Sequence, residues 1–463
     1  MSAGLCYLEL TELAARLRAR QVSPVEATRA VLARIDALDG RLHSYARVTE
    51  ELALEQARQA EAEIARGDWR GPLHGVPVAV KDLCYTAGIP TAAGMAIHAD
   101  FRPAFDATVV RRLREAGAVL LGKLQMTEGA FARHHPTIVP PVNPWAADRW
   151  TGVSSSGSGV ATAAGLCFAS LGSDTLGSIR FPSASNAVTG LKPTWGRVSR
   201  HGIFPLSESL DHIGPMVRSV ADAAAVLQAI AGPDADDPTA LLAAVPDYPG
   251  ELAKGVRGLR IGIDGRYNTS GVDPGVAAAI DGAGKVLASL GAELREVRVP
   301  DAEAAIAGAW TICTAEVAFA HADTYSARAA EYGPFLTSAL EFGRKLTGMD
   351  VARATRERER FRGRLAGLFA EIDLLLCPAL AGPPPRLVDL LNPDTAAASP
   401  RLRFTAPFNM TGSPTLTLPG GFTADGVPLA IQLVGRHLEE DLLLRAGAAF
   451  QAATDWHRRR PPL

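Results

Sequence analysis

Two tracts rich in serine and glycine constrain the fold of this chain more than any other feature of its sequence. The first is TGVSSSGSG at residues 151–159, and the second is GSDTLGSIRFPS at residues 172–183. Such a composition is usual in flexible linkers, but an alanine-rich segment that predicts a helix over residues 160–166 lies between them. Two tight loops joined by one buried helix would gather backbone N–H groups around one point, as the stabilisation of an oxyanion requires.

The surrounding segments alternate between strand and helix patterns. An apolar run at residues 76–80 predicts a strand directly before Lys81, residues 106–115 predict a helix, and residues 118–121 predict a second strand. Apolar residues at helical spacing mark residues 1–66 as a helical N-terminal layer, and Asp425-Gly426 marks the turn of a C-terminal hairpin. This alternation is typical of one large α/β domain.

Composition argues against several classes of protein. The 463 residues are 47% hydrophobic, which provides for a large core, and the net charge of −2 gives no indication of a nucleic-acid or anionic-membrane partner. The N-terminal residues lack the pattern of a signal peptide, and no apolar run is long enough to cross a bilayer. The cysteines have neither metal-ligand spacing nor the pattern of a disulfide framework, so we expect a cytoplasmic protein. They are Cys6, Cys84, Cys167, Cys313 and Cys377.

The two tracts resemble the motifs of the amidase signature family. That family has a Gly-Gly-Ser-Ser-Gly-Gly-Ser-like loop, followed further along by Asp-Thr-Gly-Gly-Ser-Ile-Arg-x-Pro. This chain has GVSSSGS at residues 152–158 and DTLGSIRFP at residues 174–182. LHGVPVAVKD at residues 73–82 is similar to the family's lysine strand. Three further landmarks follow, namely GLKPT at 190–194, DHIGPM at 211–216 and NMTGSP at 409–414.

The resemblance assigns catalytic roles to three residues. It implies that Ser178 is the nucleophile that forms an acyl-enzyme, that Ser154 follows a cis peptide bond and bridges the proton transfers, and that neutral Lys81 is the base. The expected oxyanion hole consists of the backbone N–H groups of four consecutive residues, Thr175, Leu176, Gly177 and Ser178. Three supporting residues are expected around them, namely Ser155, Asp174 and Arg180.

The same resemblance implies a fold and a reaction. The fold is one amidase domain over residues 1–463, an α/β/α arrangement with a mixed, twisted central sheet flanked by helices and with the catalytic motifs within residues 71–232. The reaction is the hydrolysis of a small-molecule carboxylic amide to an acid and an amine or ammonia. No metal or other cofactor is expected, and neither nucleic acid nor a membrane is expected as a partner. A homodimer is left open.

The physical chemistry of a lysine base agrees with this assignment. A lysine can act as a base near neutral pH only if its pKa falls by about 2–3 units through burial and its neighbours. Lys81 ends an apolar strand, where such burial is expected. A serine–histidine mechanism has less support, because the chain has no G-x-S-x-G elbow. His134 and His135 lie in a proline-rich loop without an evident partner, so we expect them at the surface or lining a pocket.

Several positions depart from the family pattern near the expected substrate. Val153 and Leu176 stand where the family has glycine, and the second half of residues 122–128 differs from its usual Gly-Lys-Thr-Asn. The segments expected to form the acyl pocket carry no obvious charged anchor. They favour a hydrophobic or aromatic acyl group through three side chains, Phe131, Phe181 and Trp310.

Three other functions fit parts of the sequence. Residues 117–123 have the G-x-x-x-x-G-K spacing of a nucleotide-binding loop, but Leu124 replaces the required Ser or Thr and the inner residues are apolar. The catalytic subunit of a tRNA-dependent amidotransferase carries the same motifs as the amidases and works only with a partner protein. Finally, a non-catalytic binding protein could have the same scaffold. Such a protein would not need Lys81, Ser154 and Ser178, all of which this chain retains.

Overall fold

The computed structural model describes residues 2–390 and 401–463, in which eleven strands form a single sheet. In chain order the strands β1 to β11 are Tyr45–Val48, Pro77–Lys81, Val119–Leu124, Ala169–Asp174, Thr189–Lys192, His212–Val217, Arg260–Ile263, Glu293–Glu296, Leu374–Pro378, Thr415–Phe422 and Pro428–Gly435. Their spatial order is β1-β3-β2-β4-β6-β5-β10-β11-β9-β7-β8.

Helices flank this sheet, as the fold prediction required. In chain order the α-helices of the described residues, α1 to α18, are Ser2–Cys6, Leu10–Arg18, Pro24–Leu42, Glu50–Arg66, Thr108–Glu115, Ser156–Ala163, Arg180–Asn186, Val220–Ile230, Tyr248–Glu251, Gly265–Thr269, Pro274–Ser289, Glu303–Ala320, Ala322–Arg328, Pro334–Gly343, Gly348–Glu371, Leu387–Leu390, Ala406–Met410 and Glu440–Ala453.

The pairing of the central strands places two chain segments side by side. β2 is parallel to both β3 and β4, whereas β4 is antiparallel to β6 and β10 is antiparallel to both β5 and β11, so the sheet is mixed as predicted. Because β2 and β4 are parallel neighbours, their carboxyl ends meet at the same edge of the sheet, the usual place for a ligand site. Lys81 ends β2 and Asp174 ends β4.

Burial explains the composition of these central strands. Every residue of β2, β3 and β4 is buried. Strands that are covered on both faces read as continuous apolar or small-residue runs rather than as alternating patterns. The predicted strand before Lys81 is therefore confirmed, with Lys81 as its last residue, and the C-terminal hairpin around Asp425-Gly426 is confirmed as β10 and β11.

The first 66 residues are mainly helical but contain one strand that the sequence did not indicate. In α2, Leu10, Leu13 and Leu17 are buried at helical spacing. Helix α3 begins after Ser23, whose side chain accepts a hydrogen bond from the Glu26 N–H. β1 lies at one edge of the sheet and pairs only with β3. Its four residues are exposed or half-buried, so they lack the apolar alternation that predicts a strand.

Both serine-glycine tracts contain more regular structure than expected. Helix α6 begins at Ser156 rather than at residue 160, so the first tract forms its opening turns. Gly157 is needed there because a Cβ would collide with the backbone of Ser44 and Gln125. Residues 172–174 complete β4, which confines the second loop to residues 175–179. Small residues give little sequence signal for helix or strand, although here they permit close packing.

Among the described residues, no single helix combines the length and the apolar character needed to cross a bilayer. The segments Glu303–Ala320 and Ala322–Glu331 pass that test of length and composition only as a pair, with a bend of 71° between them.

Candidate active site

Lys81 is completely buried at the carboxyl end of β2. Because β2 runs parallel to β4 with Val80 opposite Leu171, the residues that follow in the two strands are brought together. Lys81 Nζ donates hydrogen bonds to Ser154 Oγ at 2.5 Å and to Ser173 Oγ at 2.8 Å. The strand pairing and these two hydroxyl groups fix the position of the amine.

Burial lowers the pKa of Lys81 to about 7, because the charged ammonium form is poorly solvated there. Nearby groups, including Asp211 and Asp174, oppose this change, since negative charge favours the ammonium form. The neutral form of Lys81 is therefore accessible near neutral pH. An uncharged amine has a free lone pair and can accept a proton.

The first serine-glycine loop presents Ser154 to this amine. Val153 and Ser154 are joined by a cis peptide bond, as the resemblance implied. The Ser154 carbonyl accepts a hydrogen bond from the Thr127 N–H at 3.3 Å. Ser155 Oγ donates to the Ser173 carbonyl and accepts from the Ser173 N–H, both at 3.2 Å. The loop is thus tied both to the segment after β3 and to β4.

The second loop is organised around the Asp174 carboxylate, which is fully buried. Its oxygens accept hydrogen bonds from the backbone N–H groups of Gly177, Ile179 and Arg180 at distances of 2.8, 3.1 and 3.3 Å. The Arg180 guanidinium donates to it at 3.0 and 2.8 Å, and Asn409 Nδ2 donates at 2.8 Å. Burial by itself would raise the pKa of Asp174, but the charge and hydrogen bonds of Arg180 hold it below its usual value. The carboxylate is therefore ionised.

Ser178 lies on this loop with a free hydroxyl. Its side chain has no hydrogen bond to any residue in the ranges 2–390 and 401–463, and the residue is 8% exposed. The N–H groups of Thr175, Leu176 and Ser178 are also without a hydrogen-bond partner in those ranges. The expectation for Gly177 is corrected, because its N–H is bound to Asp174 Oδ1 and is not free for an oxyanion.

The two residues before Ser178 have distinct structural requirements. The Leu176 side chain is half-buried and packs against the main apolar core, and its carbonyl accepts a hydrogen bond from Thr405 Oγ1 at 2.6 Å. Gly177 has a φ of 137°, and a Cβ there would overlap the Phe181 ring. Glycine is therefore required at position 177, whereas leucine fits at position 176.

The two neighbouring histidines lie beside the first loop without joining the catalytic side chains. His134 Nε2 is 3.0 Å from Ser156 Oγ, and burial lowers the pKa of His134 to about 4. His135 is buried, and its Nδ1 is 2.7 Å from Thr137 Oγ1. Within the part of the chain that the structure describes, neither ring forms a hydrogen bond with the three expected catalytic side chains.

The structure contradicts the nucleotide-loop alternative. Residues 119–124 form β3 rather than a loop. Lys123 Nζ lies 3.2 Å from Asp82 Oδ1 and donates hydrogen bonds to the Cys84 carbonyl and Thr91 Oγ1, so it is not available to a phosphate. The described residues also contain no group of three or more His, Cys, Asp or Glu side chains placed to hold a metal ion.

Several residues that hydrogen-bond into the site had no role assigned from the sequence, among them Ser173, Thr405 and Asn409. Ser173 lies in the second tract and Asn409 in a C-terminal landmark motif, so both carried a signal. Thr405 belongs to no recognised motif, and only its contacts with Leu176 and Arg180 reveal it.

Comparison with known proteins identifies the family. A profile of the Amidase family matches residues 26–444. The chain belongs to the amidase family. A putative amidase, AmiD, of Mycobacterium bovis is 50% identical over 462 residues, which cover 99% of this chain and 97% of AmiD. A glutamyl-tRNA(Gln) amidotransferase subunit of Geobacter sp. strain M21 is 39% identical over 482 residues, covering 98% of this chain and 99% of that subunit. The solved structure of peptide amidase from Stenotrophomonas maltophilia has a TM-score of 0.85 at 33% identity and covers 98% of each chain.

These similarities confirm the predicted family, fold class and type of reaction. The protein is an amidase, an enzyme that hydrolyses amide C–N bonds. The matched range includes both serine-glycine tracts and the lysine strand, so the site described above lies within the part that the amidase shares with its relatives.

The Asp174 network predicts the stability of one variant. Asp174→Ala leaves the buried Arg180 guanidinium without its counter-charge, so we expect the free energy of unfolding to fall by about 3–5 kcal/mol. The control is Glu12→Ala, which breaks an exposed ion pair with Arg16 and should cost at most about 1 kcal/mol. Urea unfolding of both variants measures the difference. Equal losses of unfolding free energy in the two variants would contradict the prediction that the Asp174 network stabilises the site more than an exposed ion pair does.

Proposed function

We propose that the amidase acts through a covalent acyl-enzyme, with Ser178 as nucleophile, Ser154 as proton bridge and Lys81 as base. The observation that carries this proposal is the buried Lys81 amine, whose pKa of about 7 and 2.5 Å contact with Ser154 Oγ suit a proton acceptor. In its neutral form, Lys81 can donate a hydrogen bond to Ser173 Oγ and still offer its lone pair to the Ser154 hydroxyl.

The proposed reaction has two half-reactions that use the same groups. Ser178 Oγ attacks the amide carbon while its proton passes to Ser154 Oγ and the Ser154 proton passes to Lys81 Nζ. When the C–N bond breaks, Ser154 protonates the leaving amine and is reprotonated by Lys81. A water molecule then attacks the acyl-serine ester by the same proton route, which releases the acid and restores the Ser178 hydroxyl.

The oxyanion of each tetrahedral intermediate is proposed to bind the free N–H groups of Thr175, Leu176 and Ser178. Backbone donors that are already oriented need no rearrangement as the charge develops, and each is typically worth about 10²–10³ in rate. Thr175 is held in place by a hydrogen bond from its Oγ1 to Asp211 Oδ1 at 2.5 Å. Neither Val153 nor Leu176 removes a backbone donor, so both departures from the family pattern are compatible with catalysis.

The proposed substrate is a small-molecule amide with a hydrophobic or aromatic acyl group. The Thr127 N–H donates a hydrogen bond to the Ser154 carbonyl, and the Thr127 hydroxyl donates one to the Phe131 carbonyl. Thr127 therefore links Phe131 to Ser154. The Phe131 ring packs against half-buried Trp310, with 5.8 Å between ring centres. This aromatic pair and the half-buried Leu176 side chain would provide an apolar wall for the acyl group.

A substrate panel tests this specificity. We expect primary amides and anilides with aryl or long aliphatic acyl groups to give kcat/KM values about tenfold or more above those of acetamide, because each added apolar contact in a pocket contributes about 1–3 kcal/mol. Amides with charged acyl groups serve as the comparison. A preference for a charged acyl group would contradict the proposed pocket.

A second candidate is the catalytic subunit of an amidotransferase, because one amidotransferase relative is 39% identical over nearly the whole chain. An enzyme of that type would hydrolyse glutamine and need a partner protein. By contrast, a stand-alone amidase hydrolyses other amides without a partner protein. Turnover of the purified chain on the panel above distinguishes the two, and activity restricted to glutamine would favour the second candidate.

A cytoplasmic location is part of the proposal. All five cysteines are free and buried, and free thiols persist in a reducing compartment. The net charge of −2 provides no general attraction for nucleic acid, which is consistent with a small molecule as the binding partner.

The first catalytic prediction concerns the nucleophile. Incubation of the amidase with a fluorophosphonate should label Ser178 alone, and Ser178→Ala should abolish both labelling and turnover, because no other group would attack beside the same N–H donors. Ser158→Ala is the matched control, since it removes another buried hydroxyl of the same region, which donates to the Leu171 carbonyl. This control should still be labelled. A covalent adduct on any residue other than Ser178 would refute the assignment.

The second catalytic prediction concerns pH. The active form of Lys81 is the neutral one, so kcat/KM should rise as pH increases and reach half of its plateau near the pKa of about 7. His134→Gln is the control, and its profile should keep the same midpoint because the pKa of His134 is about 4. A flat profile, or a midpoint that moves in the His134 variant, would show that Lys81 is not the base.

A further inference from the structure

The peptide group between Leu176 and Gly177 is held at both of its polar atoms. Its carbonyl oxygen, on Leu176, accepts a hydrogen bond from Thr405 Oγ1 at 2.6 Å, and its N–H, on Gly177, donates to Asp174 Oδ1 at 2.8 Å. The same peptide lies between two of the N–H groups assigned to the oxyanion hole, those of Leu176 and Ser178. Its orientation is therefore part of the loop geometry that sets the directions of those two N–H groups.

Such a peptide needs an external constraint because of the residue that follows it. Gly177 has a φ of 137°, a region that L-residues with side chains rarely adopt. The Phe181 ring excludes a Cβ at this position, so the chain cannot use a bulkier residue to stiffen the loop. Glycine leaves the adjacent peptides free to rotate, and a rotated 176–177 peptide would lose its hydrogen bonds to Thr405 and Asp174 and change the path of the loop between the N–H groups of Leu176 and Ser178.

Thr405 is itself fixed in place by the catalytic region. It is completely buried and immediately precedes α17. Its carbonyl accepts a hydrogen bond from Arg180 Nη1 at 2.9 Å. Among residues 2–390 and 401–463, its hydroxyl makes one other hydrogen bond, at 3.4 Å to the Leu402 carbonyl, so the 2.6 Å bond to Leu176 is the shorter of the two. Arg180, Asp174 and Thr405 are thus joined to the loop and to one another by hydrogen bonds.

We propose that Thr405 is a positioning residue for the oxyanion hole: its hydroxyl fixes the 176–177 peptide and thereby the directions of the N–H groups on either side of it. This inference rests on the proposed function, since it requires the acyl-enzyme at Ser178. It assigns a catalytic consequence to a side chain that touches neither substrate nor nucleophile.

The test compares Thr405→Val, which keeps the shape but removes the hydroxyl, with Thr405→Ser, which keeps the hydroxyl. We expect Thr405→Val to lower kcat by about 10- to 100-fold, less than the full loss of one oxyanion donor, with KM changed by no more than about twofold. Thr405→Ser should restore most of kcat. The control is Thr411→Val, which removes a buried hydroxyl bonded to the Pro407 carbonyl and to Ser413 Oγ in the same segment; it should leave kcat unchanged.

A transition-state analogue separates positioning from general loosening of the structure. Phenylboronic acid forms a tetrahedral adduct with a nucleophilic serine, so its affinity should fall in Thr405→Val by the same factor as kcat/KM. Full kcat in Thr405→Val, failure of Thr405→Ser to recover it, or an equal loss in Thr411→Val would each overturn the positioning role. If the wild-type amidase gives no Ser178 adduct, the proposed nucleophile fails and the positioning role fails with it. An adduct in the wild type together with an unimpaired Thr405→Val variant refutes the positioning role alone.

Discussion

The buried ion pair between Asp174 and Arg180 is the interaction on which the catalytic region depends. Removing two charges from water costs several kcal/mol for each ion, and their attraction offsets this cost only when the remaining polar atoms also find partners. Here the carboxylate accepts hydrogen bonds from three backbone N–H groups and from Asn409, while Arg180 also donates to the Thr405 carbonyl. A loop conformation without these bonds would leave a buried charge or N–H group without a partner. The pair therefore favours the observed loop geometry.

This arrangement also explains why Lys81 can be neutral so close to a carboxylate. An aspartate beside a lysine usually stabilises the ammonium form. Asp174 does act in this direction, but its charge is compensated by the direct contact with Arg180, and burial of Lys81 outweighs the effect. Lys123, on the neighbouring strand, lies instead 3.2 Å from Asp82. Two buried lysines in adjacent strands thus differ in whether a carboxylate contacts the amine directly.

The sequence predicted those parts of this protein whose structure depends on local patterns of residues. The apolar strand ending in Lys81 and the hairpin at Asp425-Gly426 were recognisable because burial and turn geometry leave direct marks on composition. The serine-glycine tracts indicated two loops around one point, but not where helix α6 and strand β4 begin and end, because small residues serve loops, close-packed helices and buried strands alike. The contact of Thr405 with Leu176 joins distant segments, which no local pattern records, and the bond from the Gly177 N–H to Asp174 depends on the path of the loop rather than on its composition.

The position of β10 in the sheet has a consequence for the folding of the enzyme during its synthesis. This strand pairs with β5 on one side and β11 on the other, and the segment just before it supplies Thr405 and Asn409 to the loop that carries Ser178. The ribosome therefore makes the lysine and both serines long before the residues that hold the second loop in shape. A nascent chain that has emerged only as far as β6 contains Lys81, Ser154 and Ser178 without the residues that hold the second loop. That loop can form its bonds to Thr405 and Asn409 only after the segment before β10 has been made.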